Sequence, residues 1–358
     1  MTIDYIKQWL KIKYKNFKNH LLCRCRKYGK ELDYYKNYAF IFFAADYNNL
    51  GDIAITIAQR CFLEDCLTDY EIIEVTIEDT YAAINAIKRL KLDNVIVTLI
   101  GGGNNGTLYE FIEEPRRCVL KELKDYNIVS FPQSAVYENT DRGRPYLEEF
   151  QRLCMKCSNL TLVARERLSY DFYKKNVKAN VLLTPDIVFY INGIVQNEKE
   201  REDYAALILR NDKEKLICNH IEDDIISALK KNRIKVKEMD TCAIDINDDR
   251  KEIFSNYLSV LAKTQFAITD RLHGMILCFI SNTPCYVLNI NNPKIESTYY
   301  TWIGDGCSIK FFKDQTSQEI DLNTYCILDN SQRNAAIENQ NKAFYELKAI
   351  ISRLSQRG

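Results

Sequence analysis

The stretch that decides the fold is TQFAITDRLHGMILCFISNTPCYVLNI, residues 264 to 290. Phe266-Ala267-Ile268 reads as the end of a buried strand, and Thr269 and Asp270 follow as N-cap residues. From Arg271-Leu272-His273-Gly274 an almost wholly apolar run extends to Ile280, the length of a buried helix of about three turns. Ser281-Asn282-Thr283-Pro284 reads as a stop and turn, and Cys285 to Ile290 as the next strand. Strand, helix and strand in so short a span predict a parallel crossover unit.

The polar groups of that unit stand at the helix opening. Unpartnered backbone N–H groups there favour an anion. Arg271 adds a planar fork suited to carboxylate or phosphate, and His273 adds a group that exchanges a proton near neutral pH. An ordinary helix start, with the Arg paired to an acid and the His satisfied in the core, is the alternative. The lack of any other polar group along the helix favours an anion-binding, proton-transferring site.

Working outward, 358 residues suffice for two domains. Apolar residues make up 46% and charged residues 27%, as in soluble globular proteins. Lys+Arg and Asp+Glu both number 49, so charge gives no case for a nucleic-acid partner. No apolar run reaches the roughly 18 residues of a membrane span, and MTIDYIKQWLKIKYK has no signal-peptide core. Thirteen scattered cysteines suggest reduced thiols and a cytoplasmic protein. Cys154-Met155-Lys156-Cys157 has no second pair to complete a zinc site, so no metal is expected.

Residues 1–36 form a basic N-terminal arm, with eight Lys or Arg and no acid between Lys11 and Lys30. Interleaved with Ile6, Trp9, Leu10, Phe17 and Leu21, these charges suit either a peripheral contact with an anionic membrane or a solvated helix face. Residues 37–191 then alternate strand and helix as a first α/β domain. Each strand runs into polar or glycine residues, where open α/β sheets bind ligands. These residues include Asn49, Gly51 and Asp52; Gly102, Gly103 and Asn104; Gln133 and Ser134; Arg165; and Asp186. Three successive glycines at 101–103 admit close approach of a ligand or backbone, but no Walker or dinucleotide motif follows. Residues 192–203 read as a linker, 204–330 as a second α/β domain, and 331–358 as a terminal helix. Tyr299, Tyr300 and Trp302 suit either a sugar ring or packing.

In this order the motifs resemble the polysaccharide pyruvyl transferase family. The resemblance is carried by Asn49-Leu50-Gly51-Asp52, Gly101-Gly102-Gly103-Asn104, Pro132-Gln133-Ser134, Ala164-Arg165-Glu166 with Ser169, Pro185-Asp186, Arg210, and Thr269-Asp270-Arg271-Leu272-His273-Gly274. It covers about 50 to 290 and leaves out the basic arm. It implies two Rossmann-like domains facing across a cleft, as in B-fold glycosyltransferases, with the terminal helix packing back toward the first domain. It further implies phosphoenolpyruvate as donor, a co-substrate with no separate cofactor. The acceptor would be a sugar, free or lipid-linked, carrying a hydroxyl pair, and the product a pyruvate ketal in exopolysaccharide or cell-surface glycan.

The residues suit that chemistry. A donor with carboxylate and phosphate needs fixed cations and aimed backbone donors. Arg210 and Arg271, with the helix opening at Leu272 and Gly274, are the candidates. His273 is the candidate acid for the alkene carbon, and Asp52 or Asp186 the candidate base for the attacking hydroxyl. Asn49, Gly51, Gly102, Gly103, Asn104, Gln133, Ser134 and Arg165 are expected at the cleft and acceptor side. The competing readings are a nucleotide-sugar glycosyltransferase of the same architecture and a non-catalytic sugar-binding protein.

Overall fold

The computed structural model describes residues 2–193, 201–211, 219–239, 241, 249–288, 292–305, 308–312 and 330–356. By their contacts they form two units. The first comprises Met1–Ala45, Ala58–Ile187 and Ala343–Gly358, and the second Asp46–Ile57 and Val188–Lys342. Most of the expected linker, residues 194–200, and the acidic and basic residues 212–214 after Arg210 lie outside the described residues.

The first unit is a parallel sheet. Its strands are β1 (Asn37–Phe42), β2 (Tyr70–Val75), β3 (Val95–Leu99), β4 (Gly102–Gly106), β5 (Asn127–Val136), β6 (Asn159–Ala164) and β7 (Asn180–Leu183), in the order β2-β1-β3-β5-β6-β7 with β4 beside β5. Helix α1 (Ile3–Cys25) precedes β1; α2 (Leu50–Cys66), which belongs to the second unit as far as Ile57, α3 (Thr80–Leu90), α4 (Glu110–Glu122), α5 (Arg144–Cys154) and α6 (Arg167–Asn176) come between the strands. The apolar strand Val95–Leu99 is buried throughout, as a central parallel strand must be. The chain leaves β1 for β2 on one side and returns to β3 on the other, so the order reverses between β1 and β3.

The glycine run departs from the sequence expectation. Glycine is depleted in strands, yet Gly102–Gly106 pairs in parallel with β5, Gly102 opposite Gln133 and Gly106 opposite Val136. Gly102 (φ 113°) and Gly106 (φ 138°) take up the left-handed bends at its two ends. Correspondingly, β5 continues past Pro132 to Val136. The residue lacking an N–H, Pro132, falls where β5 advances three positions from Ser130 to Gln133 while β6 advances two, from Leu162 to Ala164. A bulge there accommodates the missing donor.

The second unit repeats the plan with β8 (Glu202–Ile208), β9 (Lys235–Glu238), β10 (Thr264–Thr269), β11 (Cys285–Leu288) and β12 (Ile309–Phe312), ordered β12-β11-β10-β8-β9, all parallel. Its helices are α7 (Asn219–Lys231), α8 (Arg250–Lys263), α9 (Leu272–Ile280) and α10 (Pro293–Thr298). Ala205, Leu207, Phe266, Ile268, Tyr286 and Leu288 from the strands pack on Ile225 and Leu229 of α7. In α9 every residue from Gly274 to Ile280 is buried, as an all-round apolar helix requires. Here the strand order reverses between β8 and β10.

The aromatic turn is mainly a packing element. Tyr299 and Trp302 are buried, Tyr299 stacks on Phe311 with centroids 4.9 Å apart, and Tyr300 is exposed. The terminal helix α11 (Asn330–Ser355) divides between the units at Lys342/Ala343. Gln340 Nε2 donates to the Trp302 carbonyl in the second unit. In the first unit Phe344 meets Phe62, and Lys348 lies over the same ring. Among the described residues no helix is long and apolar enough to cross a membrane.

Candidate active site

The second unit gathers one group of candidate residues at its reversal point, where the ends of adjacent strands diverge and leave room for a ligand. Arg210 follows β8, and Asp270, Arg271, Leu272 and His273 follow β10. The Asp270 carboxylate accepts a 2.8 Å hydrogen bond from the Arg210 backbone N–H, tying the two strand ends together. Burial raises the Asp270 pKa, against the opposing pull of that bond and of the Arg271 and Arg210 charges. Thr269 Oγ1 donates to the Ile208 carbonyl at 2.8 Å and accepts from the Arg271 N–H at 3.1 Å. The N-cap roles expected for Thr269 and Asp270 are therefore not what is found. The cap position is Arg271, with extended φ −105° and ψ 136° and no side-chain cap bond. Thr269 and Asp270 instead brace the neighbouring strand end.

At the opening of α9 the Arg271 side chain makes no cap bond; Arg271 is largely buried and Leu272 and His273 are half-buried. Gly274 is required by packing. A Cβ there would lie 3.0 Å from Thr269 Cβ and 3.3 Å from Ile208 Cγ2.

The segment Asp46–Ile57 belongs to this same unit and completes the group. Asn49 Oδ1 accepts from the N–H groups of Gly51 (3.0 Å) and Asp52 (3.3 Å). This Asn cap starts α2 at Leu50, earlier than the apolar pattern from Ile53 suggests. The Leu50 N–H donates to the Thr241 carbonyl at 2.7 Å, fixing the cap. Gly51 then lies against the His273 ring: a Cβ on Gly51 would stand 2.7 Å from His273 Cγ and 3.0 Å from Cε1. Asp52, one residue on, is half-buried, and its Oδ2 accepts from Tyr47 Oη at 3.1 Å.

The first unit holds the other group, and it is a buried scaffold. Arg165 Nη1 donates to Asp186 Oδ2 at 2.9 Å and Arg165 Nε to Ser134 Oγ at 2.7 Å. Ser134 Oγ donates to Glu166 Oε2 at 2.9 Å, and Ser169 Oγ bonds Glu166 Oε1 while accepting from the Ala135 N–H. Gln133 Nε2 donates to the Ile100 carbonyl, linking β5 to the end of β3. Asp186, Ser134 and Gln133 are fully buried and Arg165 is 3% exposed. Asp186 is thus placed in an ion pair, whereas Asp52 lies beside the His273 group.

The glycine strand is held by residues that sequence reasoning passed over. Arg116 bonds Asn104 Oδ1 and, at 3.1 Å, Glu113 Oε2. Asn105 Nδ2 donates to Tyr173 Oη at 2.8 Å, and Tyr137 Oη to Asn105 Oδ1 at 2.7 Å. Glu113 and Arg116 are buried, and burial raises the Glu113 pKa against the charges of Arg116 and Arg117. Their only signal was an opposite-charge pair three residues apart, in a run, Glu113-Glu114-Pro115-Arg116-Arg117, that otherwise reads as a solvent face. Gly102 is buried, Gly103 half-buried and Asn104 8% exposed.

Known proteins resemble this chain. A functionally uncharacterized Klebsiella pneumoniae protein of known structure matches with a TM-score of 0.52 at 19% identity, over 88% of this chain and all of that one, which shows a shared fold. General stress protein 30 of Bacillus subtilis is 36% identical over 75% of this chain and 78% of its own length. Pyruvyl transferase 1 of Schizosaccharomyces pombe is 30% identical over 77% of this chain and 73% of its own. The model of the polysaccharide pyruvyl transferase family matches residues 49–292, from the Asn49 cap through both reversal-point arginines to the strand beyond α9. With its Asn49–Asp52 segment seated on His273 inside that span, the chain belongs to the polysaccharide pyruvyl transferase family.

Proposed function

We propose that the protein transfers pyruvate from phosphoenolpyruvate to a pair of sugar hydroxyls, forming a pyruvate ketal during exopolysaccharide or cell-surface glycan synthesis. The observation that carries this reading is the packing of Gly51 on His273. It sets the segment that carries the half-buried Asp52 carboxylate against His273, in the unit that also holds Arg210 and Arg271 at a strand-order reversal. Arg210 and Arg271 supply the charge for the donor's carboxylate and phosphate, and the start of α9 at Leu272 faces them with the positive end of its dipole. His273 protonates the methylene carbon of the donor, and C2 becomes the electrophile. One sugar hydroxyl attacks C2, with Asp52 receiving its proton. Phosphate leaves, and the second hydroxyl closes the ketal. Of the two hydroxyl protons released, one replaces the proton given to the methylene carbon and the other leaves on phosphate, so the reaction is balanced without an oxidant.

The test is release of phosphate from phosphoenolpyruvate, with free and lipid-linked saccharides as acceptors. Acceptor-dependent phosphate release, with a product heavier by one pyruvate ketal, is expected. Nucleotide release from a sugar nucleotide, with phosphoenolpyruvate inert, would assign the site to a glycosyltransferase. No turnover of either donor would make the chain a sugar-binding relative.

A further inference from the structure

Helix α1 packs against α3, α4 and α5 of the first unit, and it does so with its polar side. Asn16 Nδ2 donates to Glu149 Oε1 at 2.6 Å, Asn19 Nδ2 to Glu114 Oε1 at 3.1 Å, and His20 Nδ1 stands 2.8 Å from Glu122 Oε1. Lys13 and Lys15 pair with Glu149 and with Glu110 and Glu114. Ile12 and Cys23 are the buried apolar members of this face.

The large apolar side chains point the other way. Ile3, Ile6, Leu10, Tyr14, Phe17 and Leu21 are 44–72% exposed. Their spacing of three and four residues places them in one stripe along the helix, opposite Ile12, Asn19 and Cys23. Trp9 is also exposed, with Lys13 Nζ 5.4 Å from its ring centroid. Helical spacing sets Lys7, Lys11 and Lys18 along one flank of the stripe and Lys13 and Arg24 along the other. An apolar stripe between basic flanks is the pattern of a helix that lies in a lipid interface. A second copy of the helix is disfavoured as the cover, because a two-fold contact brings the same surface against itself and would set lysines against lysines.

We infer that α1 is the contact surface for an anionic lipid bilayer, its stripe entering the headgroup boundary and its flanking Lys and Arg meeting lipid phosphates. This stands independently of the reaction proposed above. The full-length chain is sedimented with vesicles of phosphatidylcholine, with and without phosphatidylglycerol. It should pellet with the anionic vesicles and be released as salt rises. Changing Lys7, Lys11 and Lys18 together to Gln should weaken that binding on the order of 10²-fold. The double change Leu10→Glu, Phe17→Glu touches exposed positions, so it should abolish pelleting while leaving the melting temperature unchanged. Failure to pellet, or equal pelleting on neutral vesicles, would overturn the inference. So would a dimer in sedimentation velocity that the double change dissociates, since the stripe would then belong to a second copy.

Discussion

Gly51 stands against the imidazole of His273 so closely that no side chain fits between them. A Cβ would fall 2.7 Å from the ring's Cγ, inside any ordinary carbon–carbon contact. In a free helix Gly→Ala gains about 0.5–1 kcal/mol of backbone stability. Here the Asn49 cap holds residue 51 in place and the ring must move instead. The first prediction is that Gly51→Ala keeps the melting temperature close to wild type and lowers kcat by on the order of 10²-fold, the usual cost of a displacement of about 1 Å at the reacting groups. Wild-type kcat in the variant would separate this contact from catalysis.

Arg271 is nearly buried at the cap position of α9, beyond the strand end that Asp270 ties to Arg210. Its fork is expected to grip the donor. Arg271→Lys keeps the charge and loses the planar pair of donors. Phosphoenolpyruvate affinity by calorimetry should fall by about 1.5–3 kcal/mol, the worth of a charge-assisted hydrogen bond. Equal affinity in a folded variant would reassign Arg271 to structure.

Asp186 and Arg165 form a buried ion pair at 2.9 Å. Removing one charge strands the other, at a cost of roughly 3–5 kcal/mol. Asp186→Asn should therefore lower the melting midpoint by on the order of 10 °C, while the folded fraction keeps its donor affinity and the pH profile of kcat. A loss of kcat with unchanged melting would make Asp186 the base in place of Asp52.

What was legible in the sequence was what period and punctuation encode. The apolar strand Val95–Leu99 and the all-apolar run through Ile280 identify central strands and a buried helix whatever surrounds them. The roles of Thr269 and Asp270 were misread because their partners, the Ile208 carbonyl and the Arg210 N–H, come from a strand about 60 residues away. No local pattern contains such a partner. The glycine run was misread for a related reason: glycine carries no strand preference, and pairing with β5 decides its conformation. Glu113 and Arg116 carry no local sign of their burial, which depends on Asn104 and Tyr137, brought to them by the topology.

The docking of α1 carries its own pH dependence. Glu149 accepts from Asn16, Lys13 and Arg152. Burial pushes its pKa up, and the hydrogen bond and charge of Arg152, with Lys13, outweigh that and bring it down to about 2. A carboxylate depressed in the folded state contributes stability above its unfolded value of ~4.3, and that contribution is lost as pH falls toward the folded value. Acid titration should accordingly expose α1 to proteolysis between about pH 4 and pH 2. Glu149→Gln should show the same exposure at neutral pH with a flatter acid limb. An acid limb identical in both proteins would place the titrating group elsewhere.

The last prediction concerns the proton. His273 sits in the first turn of a helix whose following residues are all buried and apolar, in contact with Gly51 on its ring. His20 lies on α1, in the other unit, 2.8 Å from Glu122 of α4. If the imidazolium delivers the proton to the methylene carbon, His273→Gln keeps a polar side chain of similar reach and removes the acid. Donor affinity should hold within a few-fold while kcat falls by roughly 10²-fold or more. The basic limb of the rate–pH profile should vanish with it. The variant also separates His273 from Gly51: if Gly51→Ala acts by moving the ring, the double change should be no slower than His273→Gln alone. Additive losses would mean that the two residues act on different steps. A His273→Gln protein with near wild-type turnover and an unchanged pH profile would move the proton to an acid such as Asp52.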